Sequence, residues 1–200
     1  MSSENIFSYN FLPTKMPKKD RLESTIKIIG ILLTSIAIVF TFLTFRANQK
    51  WERAKFTTAR INEFSESKSV KMVQKILDYN NANIPLYKEN EMESIHDDLV
   101  YEALVIDTIR GDFSENESKI REVFDDYFDK LSVFNRYIKS GVIEYEDVKP
   151  FLEYQIRILA DIKNQRKSEE YKKRVWTYIN YYGFHDIEEL FLKFGYSIQN

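Results

Sequence analysis

The chain has no Cys, so His96 and His185, its only two histidines, are the side chains whose ordinary pKa lies near neutrality. Glu93 and His96, in "ESIH", stand three apart. On a helix that spacing puts a carboxylate and an imidazole on one face and makes half of a dinuclear metal site. The second half is missing from the sequence, so no metal is expected there. Asn180 precedes His185 by five residues, in "NYYGFH". Gly183 falls between them as a helix stop. Glu122, Asp125, Asp126 and Asp129 share the polar side of one helix. Clustered carboxylates can hold Mg²⁺ or Ca²⁺; without a loop or a His partner, these read as a solvated face. Thiolate zinc sites and cysteine nucleophiles are excluded, and no phosphate-cradling Gly-rich loop or nucleophile elbow is present. Neither a cofactor nor a metal is expected.

The elements that would hold these residues are helical. "ENESKIREVFDDYFDKLSVFNRYIKSG" has the clearest pattern: Ile120, Val123, Phe124, Tyr127, Phe128, Leu131, Phe134 and Ile138 recur at three and four residues. Ser114 with Glu117 forms a capping box and Gly141 is the stop. Upstream, "SKSVKMVQKILDYNN" places Val70, Val73, Ile76 and Leu77 at helical spacing and ends at Asn80 and Asn81. "NIPLYKENEM" reads as a loop or short extended piece, after which Ser94 caps "IHDDLVYEALVID". Downstream, "EYEDVKPFLEYQIRILADIKNQR" is a helix only if Pro150 falls in its first turn. Phe151, Leu152, Ile156 and Leu159 then face Phe124, Phe128, Leu131 and Phe134 across the Gly141 turn as an antiparallel hairpin. "SEEYKKRVWTYINYYG" follows, and Asp186 with Glu189 opens "IEELFLKFG". No stretch sustains period-two alternation. The expected fold is all-α: one N-terminal transmembrane helix followed by an irregular helical bundle.

The transmembrane expectation rests on "IIGILLTSIAIVFTFLTF", residues 28 to 45, which lacks any charge. As a helix it spans roughly 27 Å at about 1.5 Å per residue, against a hydrocarbon layer of about 30 Å. Twelve of its eighteen residues are Ile, Leu, Val or Phe. Together they favour lipid by on the order of 4 to 7 kcal/mol. The apolar run is too long for a signal peptide, and "FRANQKW" offers no cleavage pattern of small residues. The organisation reads as a flexible tail over 1–24, the span over 25–46, a juxtamembrane helix over 47–66 and a helical domain over 67–200.

Overall charge is −2, unevenly spread. Arg46, Lys50, Arg53, Lys55 and Arg60 follow the span against Glu52 alone, while residues 61–200 hold nineteen cations and twenty-seven anions. Arg46, Lys50, Trp51, Arg53 and Lys55 form a collar suited to lipid headgroups, Trp51 lying within reach of the interfacial aromatic belt. The acidic remainder argues against nucleic acid as a partner. Five Lys or Arg stand in the fifteen residues on each side of the span, so the positive-inside rule is tied. The lack of Cys favours a cytoplasmic C-terminal domain. Within the span, Gly30, Thr34, Ala37, Thr41 and Thr44 are spaced four, three, four, three. Such a stripe lets two helix backbones approach and implies a homo-oligomer.

Two resemblances bear on function. "IREVFDDYFDKLSVFNRYIKSGVIEYEDVKPFLEYQIRILADI", followed by "RVWTYINYYGFHDIEELFLKF", resembles the bacterial and phage family filed as domain of unknown function 4760. That resemblance covers roughly residues 25 to 195. It implies a single N-terminal membrane helix, a cytoplasmic helical domain and no transferable catalytic residues. Asn180 and His185 are also similar in spacing to HEPN ribonucleases, helical bundles with an Arg or Asn four to six residues ahead of a His; the usual Arg is absent here. The leading expectation is a non-enzymatic, single-pass membrane protein that binds a protein partner or itself in signalling or phage defence. The alternatives are a membrane-tethered ribonuclease using Asn180 and His185, and a membrane-disrupting oligomeric effector.

Overall fold

The computed structural model describes residues 18–197, with Asp20 described by its backbone alone. In order, the elements are α1 (Lys18–Glu66), α2 (Lys68–Asp78), β1 (Asn81–Ile84), β2 (Glu93–His96), α3 (Asp97–Ala103), α4 (Glu115–Lys139), α5 (Tyr145–Ala160), α6 (Glu169–Tyr181) and α7 (His185–Lys193). Among the described residues the fold is all-α apart from one small two-stranded sheet. It divides into two compact units, one up to Lys50 and one from Trp51 onward.

In the first unit, every described side chain of α1 is exposed. Ile28, Leu32, Phe40 and Phe42 are 56, 57, 70 and 55% exposed. The apolar window has a mean hydropathy of 2.5 and none of it is buried, so α1 is long and apolar enough to cross a membrane. A core helix of a soluble protein would be covered instead. Of the tail expected over 1–24, residues 1–17 lie outside the described residues and 18–24 belong to α1, where Glu23 pairs with Lys27 at 2.8 Å.

The second unit begins with the last turns of α1. Phe64, 3% exposed, brings its ring to Tyr127, Phe134 and Phe151 at 5.9, 5.4 and 5.8 Å. α2 is strongly amphipathic, with Val70, Val73, Ile76 and Leu77 buried. α4 starts on the expected capping box: the Ser114 hydroxyl accepts from the Glu117 N–H, and the Glu117 carboxylate accepts from the Ser114 N–H. It ends at Gly141, whose φ of 72° lets the Val142 N–H reach back to the Tyr137 carbonyl at 3.1 Å.

Several details depart from the sequence reading. Residues 81–84 and 93–96 pair as an antiparallel hairpin, Ala82 opposite Ile95 and Ile84 opposite Glu93. Ala82, Ile84 and Ile95 are buried, so apolar burial outweighs the poor strand propensity of Asn81 and Asn83. Ser94 caps no helix; it lies in β2 and donates to the Asn81 side chain at 2.6 Å, while His96 occupies the N-cap of α3. Pro150 sits inside α5, past its first turn. It has no N–H for the Glu146 carbonyl, and both residues are exposed, so that carbonyl is left to solvent. α4 packs chiefly on α7, α2 and α3 rather than on α5, which meets it through Phe134 and Phe151 at 6.1 Å. Asp186 and Glu189 form no capping box; both accept from Asn135 on α4, and Phe184 is the N-cap of α7.

Candidate functional site

The small-residue stripe occupies an open face. Gly30, Thr34, Ala37, Thr41 and Thr44 are all exposed on α1, and a Cβ placed at Gly30 would meet nothing within 4 Å. Every hydroxyl in the apolar stretch turns back on its own helix. Thr34 donates to the Gly30 carbonyl at 2.9 Å, Ser35 to Ile31 at 2.9 Å, Thr41 to Ala37 at 2.8 Å and Thr44 to Phe40 at 2.9 Å. The stripe therefore offers a second helix close approach and van der Waals packing rather than free hydroxyl donors.

The basic collar is mixed. Arg46, Lys50, Trp51 and Lys55 are exposed, with the Arg46 guanidinium 5.1 Å from the Phe42 ring and the Lys55 amine 5.2 Å from the Trp51 ring. Arg53 differs. It donates to Glu144 and lies 3.3 Å from Asp147, its side chain 28% exposed. Those carboxylates flank the start of α5, where they also suit the helix dipole.

The residues named for chemistry are distributed over β2, α4, α6 and α7. Glu93 and His96 both lie in β2, where an odd separation sends two side chains to opposite faces. The helical spacing that would have joined them is absent. Asn180 lies in the last turn of α6, half-buried, and its carbonyl accepts from the Gly183 N–H at 3.3 Å. His185 opens α7 beyond Gly183, whose φ is 77°. Its side chain is 74% exposed and 3.7 Å from Glu188. Three of the four carboxylates of α4 have separate partners. Glu122 pairs with Lys119, Asp126 accepts from Ser69 and Lys130, and Asp125 accepts from the Tyr178 hydroxyl at 2.7 Å. Burial pushes the Asp125 carboxyl above its ordinary value, against the Tyr178 hydrogen bond and the nearby Arg121. Among the described residues no group of three or more His, Cys, Asp or Glu side chains is arranged to hold a metal ion.

Buried polar groups that the sequence did not flag instead tie the second unit together. Lys167 has a fully buried side chain; it donates to Asp97 and to the Tyr79 carbonyl at 2.9 Å, and lies 5.2 Å from the Tyr171 ring. Burial lowers its pKa, with Asp97 opposing. Lys172, 2% exposed, donates to the Asp161 carbonyl at 2.8 Å and to the Asn164 carbonyl just after α5, where a cation satisfies orphan acceptors. Arg121 donates to the Ala103 and Val105 carbonyls at 2.7 Å and to the Tyr182 hydroxyl at 2.5 Å, its guanidinium 4.2 Å from the Phe113 ring. Asn135, 0% exposed, donates to Asp186 and Glu189 at 2.8 Å each. These are cross-braces between elements. Sequence alone reads Lys, Arg and Asn as surface residues, and their partners lie up to 88 positions away.

No family model matches the chain, and neither a curated protein nor a solved structure matches it.

Proposed function

We propose that the chain is a single-pass membrane protein whose helical domain, from Trp51 onward, binds a protein partner or a second copy of itself in signalling or defence, without catalysing a reaction. The observation that carries the reading is the apolar face of α1 over 28–45, exposed on all sides and lacking any charge. In water that surface would drive aggregation; in lipid it is satisfied. The exposed Arg46, Lys50, Trp51 and Lys55 supply the headgroup contacts such an anchor needs. Arg53, paired with Glu144 and Asp147, is a domain contact in this reading. The likeness to the family filed as domain of unknown function 4760 belongs to the proposal and rests on the motifs quoted above, as does a cytoplasmic C-terminal domain.

A partner-binding role is favoured over the ribonuclease because Asn180 and His185 lie on different helices across a left-handed turn. The span also has no ionisable residue between 28 and 45 to line a conduit, which weighs against a pore. The test is fractionation of the full chain. It is expected in the membrane pellet after an alkaline wash and in the supernatant only with detergent. Recovery in the high-speed supernatant without detergent refutes the anchor.

A further inference from the structure

The outer face of α2 gathers like charges. With Val70, Val73, Ile76 and Leu77 turned inward, Lys68, Lys71 and Lys75 are left exposed. They stand three and four residues apart on one helical face, where like charges repel. Carboxylates are plentiful in this acidic unit, and Arg60, Lys130 and Arg166 are each ion-paired. Lys68, Lys71 and Lys75 take part in no ion pair among the described residues. A helix face that repels itself and makes no ion pair is suited to an external anion.

The same three lysines line an open groove of 670 Å³, within the size range of about 300–1,000 Å³ typical of small-molecule sites. Met72, Tyr79 and Pro85 give it an apolar, aromatic side, and Tyr79 is 62% exposed. Three carboxylates also border it: Glu66, Asp78 and Glu89. Asp78 is engaged elsewhere, accepting from Tyr154 and Arg166. Glu66 is the last residue of α1 and Glu89 lies in the β1–β2 loop, so neither is interleaved with the lysines along α2.

We propose that this groove binds a small phosphate ester carrying a flat ring, a nucleotide being the class that has both parts. The phosphates lie along Lys68, Lys71 and Lys75, which spread their charge over about 10 Å of helix. The ring rests against Tyr79 and Pro85, since aromatic side chains accept any base by stacking. A nucleic-acid strand does not fit, because the excess of carboxylates over residues 61–200 repels an extended polyanion.

The test uses the full chain in neutral detergent, with calorimetric titration of ADP, of inorganic phosphate, and of phosphatidylglycerol added to the micelles. ADP is expected to saturate a single site. Lys71→Gln with Lys75→Gln weakens it at least about tenfold, through the loss of two charge-assisted contacts. Tyr79→Ala weakens ADP and leaves phosphate affinity unchanged. All three positions are exposed, and an unchanged melting curve verifies that the variants fold. Absence of saturation at millimolar ADP, equal affinity in wild type and the double lysine variant, or phosphate binding as tight as ADP each overturns the proposal. So does lysine-dependent binding of phosphatidylglycerol alone, which would make the face a lipid contact. The groove lies wholly within the second unit, so its failure leaves the membrane reading standing.

Discussion

Replacing Phe128 by Ala is the sharpest test of the packing described for the domain. Phe128 is 0% exposed, and its ring lies 5.7 Å from Phe124, 5.6 Å from Tyr127, 6.3 Å from Tyr178 and 5.3 Å from Phe184. Two neighbours share α4, one comes from α6 and one from the turn before α7. Burying such a ring contributes about 1.5–3 kcal/mol. Its removal adds a cavity term, because walls from three elements cannot all close on the gap. The total expected is about 3–5 kcal/mol. For a domain of this size each kcal/mol moves the melting midpoint by about 2–4 °C, so the shift should be about 6–20 °C downward.

The assay is near-ultraviolet circular dichroism of the full chain in detergent. It reads the tyrosines and the buried Trp176 of the domain and is insensitive to helical content along α1. Leu192→Ala, at a position 62% exposed, is the control and should stay within about 0.5 kcal/mol of wild type. A shift for Phe128→Ala of under about 2 °C, indistinguishable from that control, would mean that α4 does not pack on α6 and α7 as described.

Three further outcomes follow from named contacts. Ser114→Ala should cost about 1 kcal/mol near neutral pH through loss of the N-cap. Burial raises the Glu117 pKa, but the Ser114 N–H, the Ser114 hydroxyl and Arg110 outweigh it and hold it below its ordinary value. That stabilisation is therefore full above the ordinary carboxylate pKa and lost as pH falls through the lowered one. The gap between Ser114→Ala and wild type should narrow in acid, and a gap constant with pH in urea titrations would contradict it. Asp125 behaves in the opposite sense: its pKa is raised in the fold, so wild type loses stability as pH climbs from the ordinary Asp value through the raised one. Asp125→Asn keeps an acceptor for Tyr178 and should gain on wild type from acid to neutral pH; parallel pH profiles would refute this. Gly30→Ile with Ala37→Ile should abolish crosslinked dimers of the full chain in membranes, and dimers of undiminished yield would rule out the stripe as the contact.

The long elements were legible because their signals are local and redundant. The apolar stretch of α1 declares itself by eighteen residues without charge, and α4 by an eight-residue apolar face, a capping box and a glycine stop. The hairpin of β1 and β2 was illegible for the opposite reason. Each strand has four residues, too few for a period of two to register, and Asn81 and Asn83 argue for a turn. Which helices α4 touches was not written in its own face, since an apolar stripe states that it is covered and not by what. The Gly141 turn suggested α5, and the Asn135 bridge to Asp186 and Glu189 draws α7 there instead. On the candidate sites, sequence named Glu93 with His96 and Asn180 with His185; the alternation of β2 parts the first pair, and the second straddles the Gly183 turn between α6 and α7. The α2 lysines were visible as residues, but their shared groove with Tyr79 and Pro85 depends on the later chain folding back beside α2.

If α1 crosses a membrane as proposed, the inward-turned hydroxyls of Thr34, Ser35, Thr41 and Thr44 bear on how it behaves there. A solitary copy has its polar groups already answered, so nothing obliges it to seek company. Pairing would then be a matter of surface fit alone, reversible and set by how crowded the membrane is. A cell could tune assembly of such a protein simply by changing how many copies it makes.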